Sequence, residues 1–394
     1  MSKPGIREWL AAGRALRRGN LVRSADASCP ITRFERKFAA YMGADFALAM
    51  TSGTAALHAA MTAIGVGPGD EVLVPAYTWL STAAAPVLAG AVPVLVEIDK
   101  SLTMDPADIE RKITPQTKAI MPVHMLNSPC DMDAIMEIAR RHGLAVVEDA
   151  CQAVGISYKG RMCGAIGDIG VYSFNQFKNM TIGEGGAVVT NNPRLHARLM
   201  CAHDLGIWAR DGYVEDFEPP FVSGHSRITT IQAAMLDVQL DRLPGQIRRL
   251  KLNRKAVAAA LRAERKLRVV RHHDPDSAAS LAVCFATEDE ALDFARRPGV
   301  ARVFDNSKHV YTNWVPIIAR RSAHPAMNPW AWAKREITYG PETCPRTLEI
   351  MRRTCRINLG ARLPNPMMRL IARPLFASDA PRHLYFRLIE RMAA

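Results

Sequence analysis

The sequence predicts an α/β fold: a large domain built on a mostly parallel sheet covered by helices, followed by a smaller C-terminal α+β domain. Two observations carry this. From residue 46 to residue 190, short continuous apolar runs alternate with stretches of helical periodicity. Strands buried on both faces, with helices between them, are what a parallel sheet requires. Beyond about residue 250 the pattern becomes short strands with one helix and irregular basic segments. A chain of 394 residues with 48% hydrophobic composition can bury one large core and one smaller one. The expected division is 1–250 and 251–394.

Residues up to about 29 read as a lead-in helix, and 30–38 start a second, with Phe34 and Phe38 four apart. The run 46–50 reads as a strand leading into Thr51-Ser52-Gly53-Thr54-Ala55, which opens a helix. Small residues at a helix N-terminus leave backbone N–H groups free to cradle a phosphate; an N-cap with nothing bound is the other reading. A buried strand at 71–75 is followed by Ala76-Tyr77-Thr78-Trp79 and a helix. Further strands are expected at 92–98, 119–124 and 144–148, with helices at 106–112 and 131–142. Thr54, Trp79 and Asp149 then all fall at C-terminal strand ends, where such sheets bind ligands. His124, also at a strand end, reads as a packing or hydrogen-bonding residue rather than a base.

Residues 171–191 read VYSFNQFKNMTIGEGGAVVTN. A strand ends in Ser173-Phe174, a polar loop carries Lys178, and Gly183-Glu184-Gly185-Gly186 turns the chain into a second strand at 187–190. Alone, the lysine is a surface charge and the glycines a tight turn. Upstream, however, the strand at 144–148 runs into Glu148-Asp149. A carboxylate at a buried strand end together with a displayed lysine suits a pyridoxal phosphate enzyme: Lys178 forms the Schiff base, and Asp149 keeps the pyridine nitrogen protonated so that the ring accepts electrons.

Asp149-Ala150-Cys151-Gln152, Gly167-Asp168-Ile169-Gly170, Ser173-Phe174, Lys178 and Gly183-Glu184-Gly185-Gly186, in this order, resemble the DegT/DnrJ/EryC1/StrS family. These are fold-type I, pyridoxal-phosphate-dependent aminotransferases acting on keto sugars, cyclitols and related precursors. The resemblance is clear from about Arg33 to Leu250 and faint beyond. It implies a seven-stranded type of sheet, with Gly53, Thr54, Ala55 and Ser173 around the cofactor phosphate, Trp79 on the face of the ring and Gln152 on its phenolic oxygen. It also implies a homodimer with its active site at the subunit interface, because residues 223–229 match a segment that crosses to the partner's site. Here the chain departs from the pattern. The family usually has asparagine two residues before Arg227, and this chain has His225, which can also donate a hydrogen bond to phosphate. Arg227, His309 and Tyr311 are the substrate-binding candidates; the last two lie in 305–314, where the family's C-terminal domain returns towards the substrate, and ordinary packing is the alternative reading.

The implied reaction moves an amino group from L-glutamate or L-glutamine to a keto or aldehyde group of a sugar, sugar acid or cyclitol. Family members that dehydrate sugars typically carry histidine in place of the lysine, so Lys178 argues against dehydration. Intact Asp149, Lys178, Ser173 and Trp79 argue against a non-catalytic regulator.

Lysine and arginine exceed aspartate and glutamate by 51 to 38, a formal +13. No basic stripe interleaved with aromatics and no nucleic-acid module accompanies this charge, so nucleic acid is not an expected partner. The charge gathers in 248–271 and 320–369, as a solvated surface or, alternatively, towards an anionic acceptor. The longest apolar stretch, 83–96, is interrupted by Pro86, Gly90 and Pro93, so no membrane span is expected. The basic N-terminus lacks the apolar core of a secretory signal. Eight scattered cysteines, with no CxxC pair and no metal-ligand spacing, suit free thiols in the cytoplasm and no metal. Residues 204–222 form a long aperiodic stretch, expected to be a lid or an arm to a partner. Residues 231–265 read as helical, 267–270, 281–285 and 300–304 as strands, and 287–297 as a helix; Trp330 and Trp332 are candidates to line a wall.

Overall fold

The computed structural model describes residues 4–24, 26–206, 220–261, 267–297 and 299–359. In chain order, the first part contains α1 (Ile6–Arg18), α2 (Pro30–Met42), β1 (Phe46–Met50), α3 (Gly53–Ala63), β2 (Glu71–Pro75), α4 (Leu80–Leu88), β3 (Val92–Val96), α5 (Pro106–Lys112), β4 (Thr117–Ile120), α6 (Met132–His142) and β5 (Ala145–Asp149). A small hairpin, β6 (Ser157–Tyr158) and β7 (Arg161–Met162), precedes β8 (Ile169–Ser173), β9 (Gly186–Thr190) and α7 (Pro193–His203). Seven strands make one sheet in the order β1-β9-β8-β5-β4-β2-β3. Every neighbouring pair from β8 to β3 is parallel, while β9 runs antiparallel to both β1 and β8. The expected mostly parallel sheet is therefore present.

The apolar runs explain its position. Strands β2, β3, β8 and β9 are buried at every residue, as strands sandwiched between helices must be. Phe34 and Phe38 of α2 stack at 5.4 Å and meet Tyr172 and Phe174 edge-on, so the aromatic spacing fixes α2 against β8. Asp131 caps α6 and Asp105 caps α5, each accepting a first-turn N–H.

Residue 250 lies inside α8 (Thr230–Leu261), one helix of 32 residues that continues through Pro244. After it come β10 (Arg268–Val269), β11 (Leu281–Cys284), α9 (Glu288–Ala295), β12 (Val300–Arg302), α10 (Val315–Ile318), α11 (Pro345–Arg352) and β13 (Thr354–Ile357). These strands form an antiparallel sheet in the order β10-β11-β13-β12. Two seams join it to the open ends of the large sheet's strands. Val310 bridges Tyr77, and Glu97, just past β3, accepts the Arg346 and Thr347 N–H groups at the start of α11 at 3.1 and 2.7 Å. Trp330 and Trp332 lie towards the opposite strand ends: the Trp330 indole donates to the Tyr339 hydroxyl, which donates to the Pro93 carbonyl near the start of β3, and the Trp332 carbonyl adjoins Gly69, just ahead of β2. The loop expected over 204–222 falls mostly on 207–219, outside the described residues.

Among the described residues no helix is long and apolar enough to cross a membrane. All eight cysteines are unpaired.

Candidate active site

At the end of β1 the chain turns over Thr51 and Ser52 into α3. Ser52 is extended and its hydroxyl accepts the Ala55 N–H at 3.0 Å, which leaves the Gly53 and Thr54 N–H groups without a helix partner. Glycine is required here by crowding. A Cβ on Gly53 would lie 2.9 Å from the Ser173 Cβ and 3.0 Å from the Cys151 Sγ, and one on Gly186 would lie 2.5 Å from the Ser52 carbonyl. Three segments thus close round one small volume. The Thr54 hydroxyl lies 2.7 Å from that of Ser81 in the first turn of α4, so the N-termini of two helices face the same spot. Free N–H groups, hydroxyls and two converging helix dipoles make a cradle for an anion.

At the end of β5 the two acids separate. Asp149 is 4% exposed and has no cation partner among the described residues. One oxygen accepts the Cys151 N–H at 3.1 Å and the other accepts the Thr82 hydroxyl at 2.8 Å. Thr82 in turn lies 2.8 Å from the Thr78 hydroxyl, so a buried hydroxyl pair fixes the carboxylate. Thr78 stands one residue before the Trp79 N-cap of α4 and Thr82 in its first turn, so two hydroxyls four residues apart meet across the start of the helix. That spacing was the signal for these two residues, and sequence reasoning missed it.

The neighbouring Glu148 is fully buried on the other face of the strand, as the period of two dictates. It accepts N–H groups from Gly164, Ile166 and Gly167 at 2.8, 2.6 and 2.6 Å, and lies 2.9 Å from the His124 Nε2. Burial alone would push this carboxyl up, but the His124 and backbone donors outweigh it and hold the group below the usual glutamate range. His124 Nδ1 accepts the Cys130 N–H at 3.1 Å, so the ring is the neutral tautomer with its proton on Nε2. His124 is thus a hydrogen-bonding residue, as its strand-end position implied.

Lys178 sits in a braced loop between β8 and β9. Phe174 and Gln176 donate backbone N–H groups to Gly185 and Gly183, and the Asn175 amide donates to Glu184 at 2.7 Å. Gln239 of α8 clamps both the N–H and the carbonyl of Thr181. The Lys178 side chain is half-buried, and among the described residues its amine has no hydrogen-bond or ion-pair partner. Lys178 and Asp149 both lie close enough to the Cys151 thiol to bear on its ionisation; burial, then Asp149, keeps that thiol neutral. Lysine and carboxylate are therefore brought together with the anion cradle.

The second sheet contributes a wall. The His309 ring meets Trp79 at 5.4 Å and Tyr77 at 6.3 Å, and its Nε2 lies 3.2 Å from the Gln152 amide nitrogen. Burial pushes the His309 imidazole down to about 4, helped by the charges of Lys178, Arg356 and Lys308, so the ring is neutral. Its Nδ1 is buried without a partner. The Lys308 amine lies 5.5 Å above the Trp79 ring.

Tyr311, named with His309 from the sequence, is placed differently. Its hydroxyl donates to the Gly340 and Pro341 carbonyls at 3.0 Å and accepts the Cys344 N–H, so it is spent on backbone. His225 and Arg227 are exposed and adjoin the end of β1: Arg227 bridges Met50, and the Ser226 carbonyl accepts the Thr51 N–H. The Arg227 Nε donates to the His225 Nε2 at 2.7 Å and lies 3.2 Å from the Asp204 carboxylate. The remaining donor on His225 is then its Nδ1–H.

The sequence profile of the DegT/DnrJ/EryC1/StrS aminotransferase family matches residues 17–365. The chain belongs to this family. The match reaches well past Leu250, where the motifs themselves had become faint. GDP-perosamine synthase of Caulobacter vibrioides is 45% identical over 214 residues, which is 54% of this chain and 57% of that protein. The chain thus matches somewhat over half the length of this relative. Among solved structures, 3-amino-5-hydroxybenzoic acid synthase superposes with a TM-score of 0.78 at 28% identity, covering 94% of this chain and 95% of that one. DesV of S. venezuelae, in complex with a ketimine intermediate, gives 0.74 at 30% identity over the same shares.

Proposed function

We propose that this DegT/DnrJ/EryC1/StrS family member is a pyridoxal-phosphate-dependent aminotransferase. It takes an amino group from L-glutamate or L-glutamine and delivers it to a keto or aldehyde group of a sugar, sugar acid or cyclitol. The observation that carries the reading is the Lys178 amine, without a hydrogen-bond or ion-pair partner among the described residues and held in a braced loop near Asp149 and across from the anion cradle of α3 and α4.

The residues fit the cofactor. The Gly53 and Thr54 N–H groups, with the Thr54 and Ser173 hydroxyls and the turn through Ala55, suit its phosphate. Asp149 suits a protonated ring nitrogen, because its lone pairs face only neutral donors. Trp79 suits one face of the ring and Gln152 its phenolic oxygen. When bound, such a cofactor supplies a carbonyl that condenses reversibly with amines and a ring that takes up an electron pair.

The chain's own groups supply the rest. In this reading Lys178 Nζ takes the proton from the donor's α-carbon and returns it on the far side of the transfer. It repeats these steps in reverse for the acceptor. Thr82 and Thr78 keep Asp149 aimed, and neutral His309 closes the wall without adding charge. A second copy of the chain completes the site in this reading: the exposed His225, with its Nε2 taken by Arg227, has Nδ1–H left to reach the partner's phosphate.

The test is a coupled assay with a panel of keto sugars, sugar acids and cyclitols, reading oxo acid formed from L-glutamate or L-glutamine. Amine-bearing product and stoichiometric oxo acid are expected. Product that has lost a hydroxyl without gaining nitrogen would mean dehydration instead.

A further inference from the structure

Arg356 is a charged residue at the middle of a sheet. It lies on β13, the strand between β11 and β12, and its cross-strand neighbours are Ala282 and Ala301. Residues directly opposite one another share a face, so the guanidinium is flanked by two methyl groups that leave room beside it. The alternate residues Cys355 and Ile357 are buried, and the Cys355 thiol donates to the Ala291 carbonyl of α9. Arg356 therefore stands on the face away from α9, exposed, and close enough to Tyr77 and His309 for its charge to bear on both.

Lys308 reaches the same place from the loop before Val310, with its amine over Trp79. Among the described residues neither Arg356 nor Lys308 has a hydrogen-bond or ion-pair partner through its side chain, and Lys178 has none either. Other cations in this part of the chain are neutralised: Arg302 pairs with Glu288 and Asp305, Arg335 with Glu71, and Arg346 with Asp105. Three unpaired cations round one aromatic wall repel each other unless an anion joins them. Asp149 is held by Thr82 and the Cys151 N–H, and the cradle at α3 lies on the other side of Lys178 in the reading above. The charge at Arg356 and Lys308 is left to the substrate.

We infer that Arg356 and Lys308 form an oxyanion subsite that holds a carboxylate or phosphate of a substrate while its reacting group lies at Lys178. The inference rests on the aminotransferase reading and names the substrate chemistry it serves. Two sources carry that chemistry: the α-carboxylate of the amino donor and an acidic group on the acceptor.

The experiment uses the cofactor-loaded enzyme and follows each half-reaction separately by the cofactor's visible band. The variants are Arg356→Gln and Lys308→Gln, with Arg352→Gln, whose guanidinium stacks on Phe304, as a control. The substrates are L-glutamate, a keto-sugar phosphate and the matching uncharged keto sugar. A rise of about 10- to 100-fold in the half-saturating concentration is expected for an anionic substrate, with the maximal rate little changed. The uncharged sugar and the control should show no such rise. A rise confined to L-glutamate assigns the donor carboxylate, one confined to the phosphate assigns the acceptor, and both together mean shared use in turn.

Variants that hold the cofactor normally and bind all three substrates as the wild type does would overturn the subsite. A wild type inert towards every amino donor would instead overturn the aminotransferase reading. Calorimetric titration with inorganic phosphate then decides the subsite alone: binding lost in Arg356→Gln supports it, and binding unchanged overturns it.

Discussion

Glu148 and Asp149 are adjacent acids on one strand, and the protein treats them in opposite ways. Glu148 is saturated by the chain itself, with three backbone N–H groups and His124 on a single buried carboxylate. Asp149 receives only a hydroxyl and one N–H, both neutral, and has no cation beside it among the described residues. The first carboxylate organises the turn that launches β8, and hence the strand leading to Lys178. The second is held in place but left with its charge uncompensated. In the aminotransferase reading, the difference teaches that chemical type and burial do not set the functional acid apart; unmet demand does.

That contrast can be broken in either direction. The largest effect is expected for Asp149→Asn, which removes the charge while its Oδ1 can still accept the Cys151 N–H and its Nδ2 can donate to the Thr82 hydroxyl, turned to accept: kcat should fall about 10^3-fold with the melting temperature near that of the wild type. Glu148→Gln should do the reverse. Its amide cannot accept from every donor now satisfied by the carboxylate, so stability should drop by ~3 kcal/mol while the folded fraction keeps most of its turnover, as a denaturant titration paired with kinetics would read. Thr82→Val leaves Asp149 charged but less well aimed, and a fall of about tenfold in kcat with little change in cofactor affinity is expected.

The smallest perturbation is pH. His272 is pushed down to about 4, first by burial and then by the Arg254 charge. Its unfolded form binds a proton the folded form refuses, so stability is full above about pH 6.5 and falls as pH drops towards 4, at no more than ~1.4 kcal/mol per pH unit. Below that, Glu148 adds its own loss, because a depressed carboxyl stabilises only while it is ionised. His309, also pushed down to about 4, adds a like slope, so unfolding free energy measured against pH should fall less steeply between pH 6.5 and 4 in His272→Gln than in the wild type, the remainder belonging to His309.

Much of this was legible in the sequence for a physical reason. Strands buried on both faces write themselves as continuous apolar runs, so β1 and β2 were read to the residue and β3, β4, β5 and β9 to within a few. The lysine loop and the acid at the strand end were readable because glycine crowding and strand-end charge are local properties. In the second sheet β10, β11, β12 and α9 were read to within a few residues as well, but one strand was not read at all. That strand, β13, reads Thr-Cys-Arg-Ile, with a charge in its middle, and no two-residue period survives in four residues. The interruption that hid the strand is Arg356, the group assigned here to the substrate. Tyr311 failed for a different reason: a tyrosine beside a candidate histidine looks like a pair, but whether its hydroxyl faces a ligand or backbone depends on residues 340–344, thirty positions away.

The most direct test of the account is to load the purified protein with pyridoxal phosphate, reduce it with borohydride and map the modified peptide by mass spectrometry. The account predicts a pyridoxyl group on Lys178 alone, and none in Lys178→Ala. A label on another lysine, or a protein that takes up no cofactor, would contradict it.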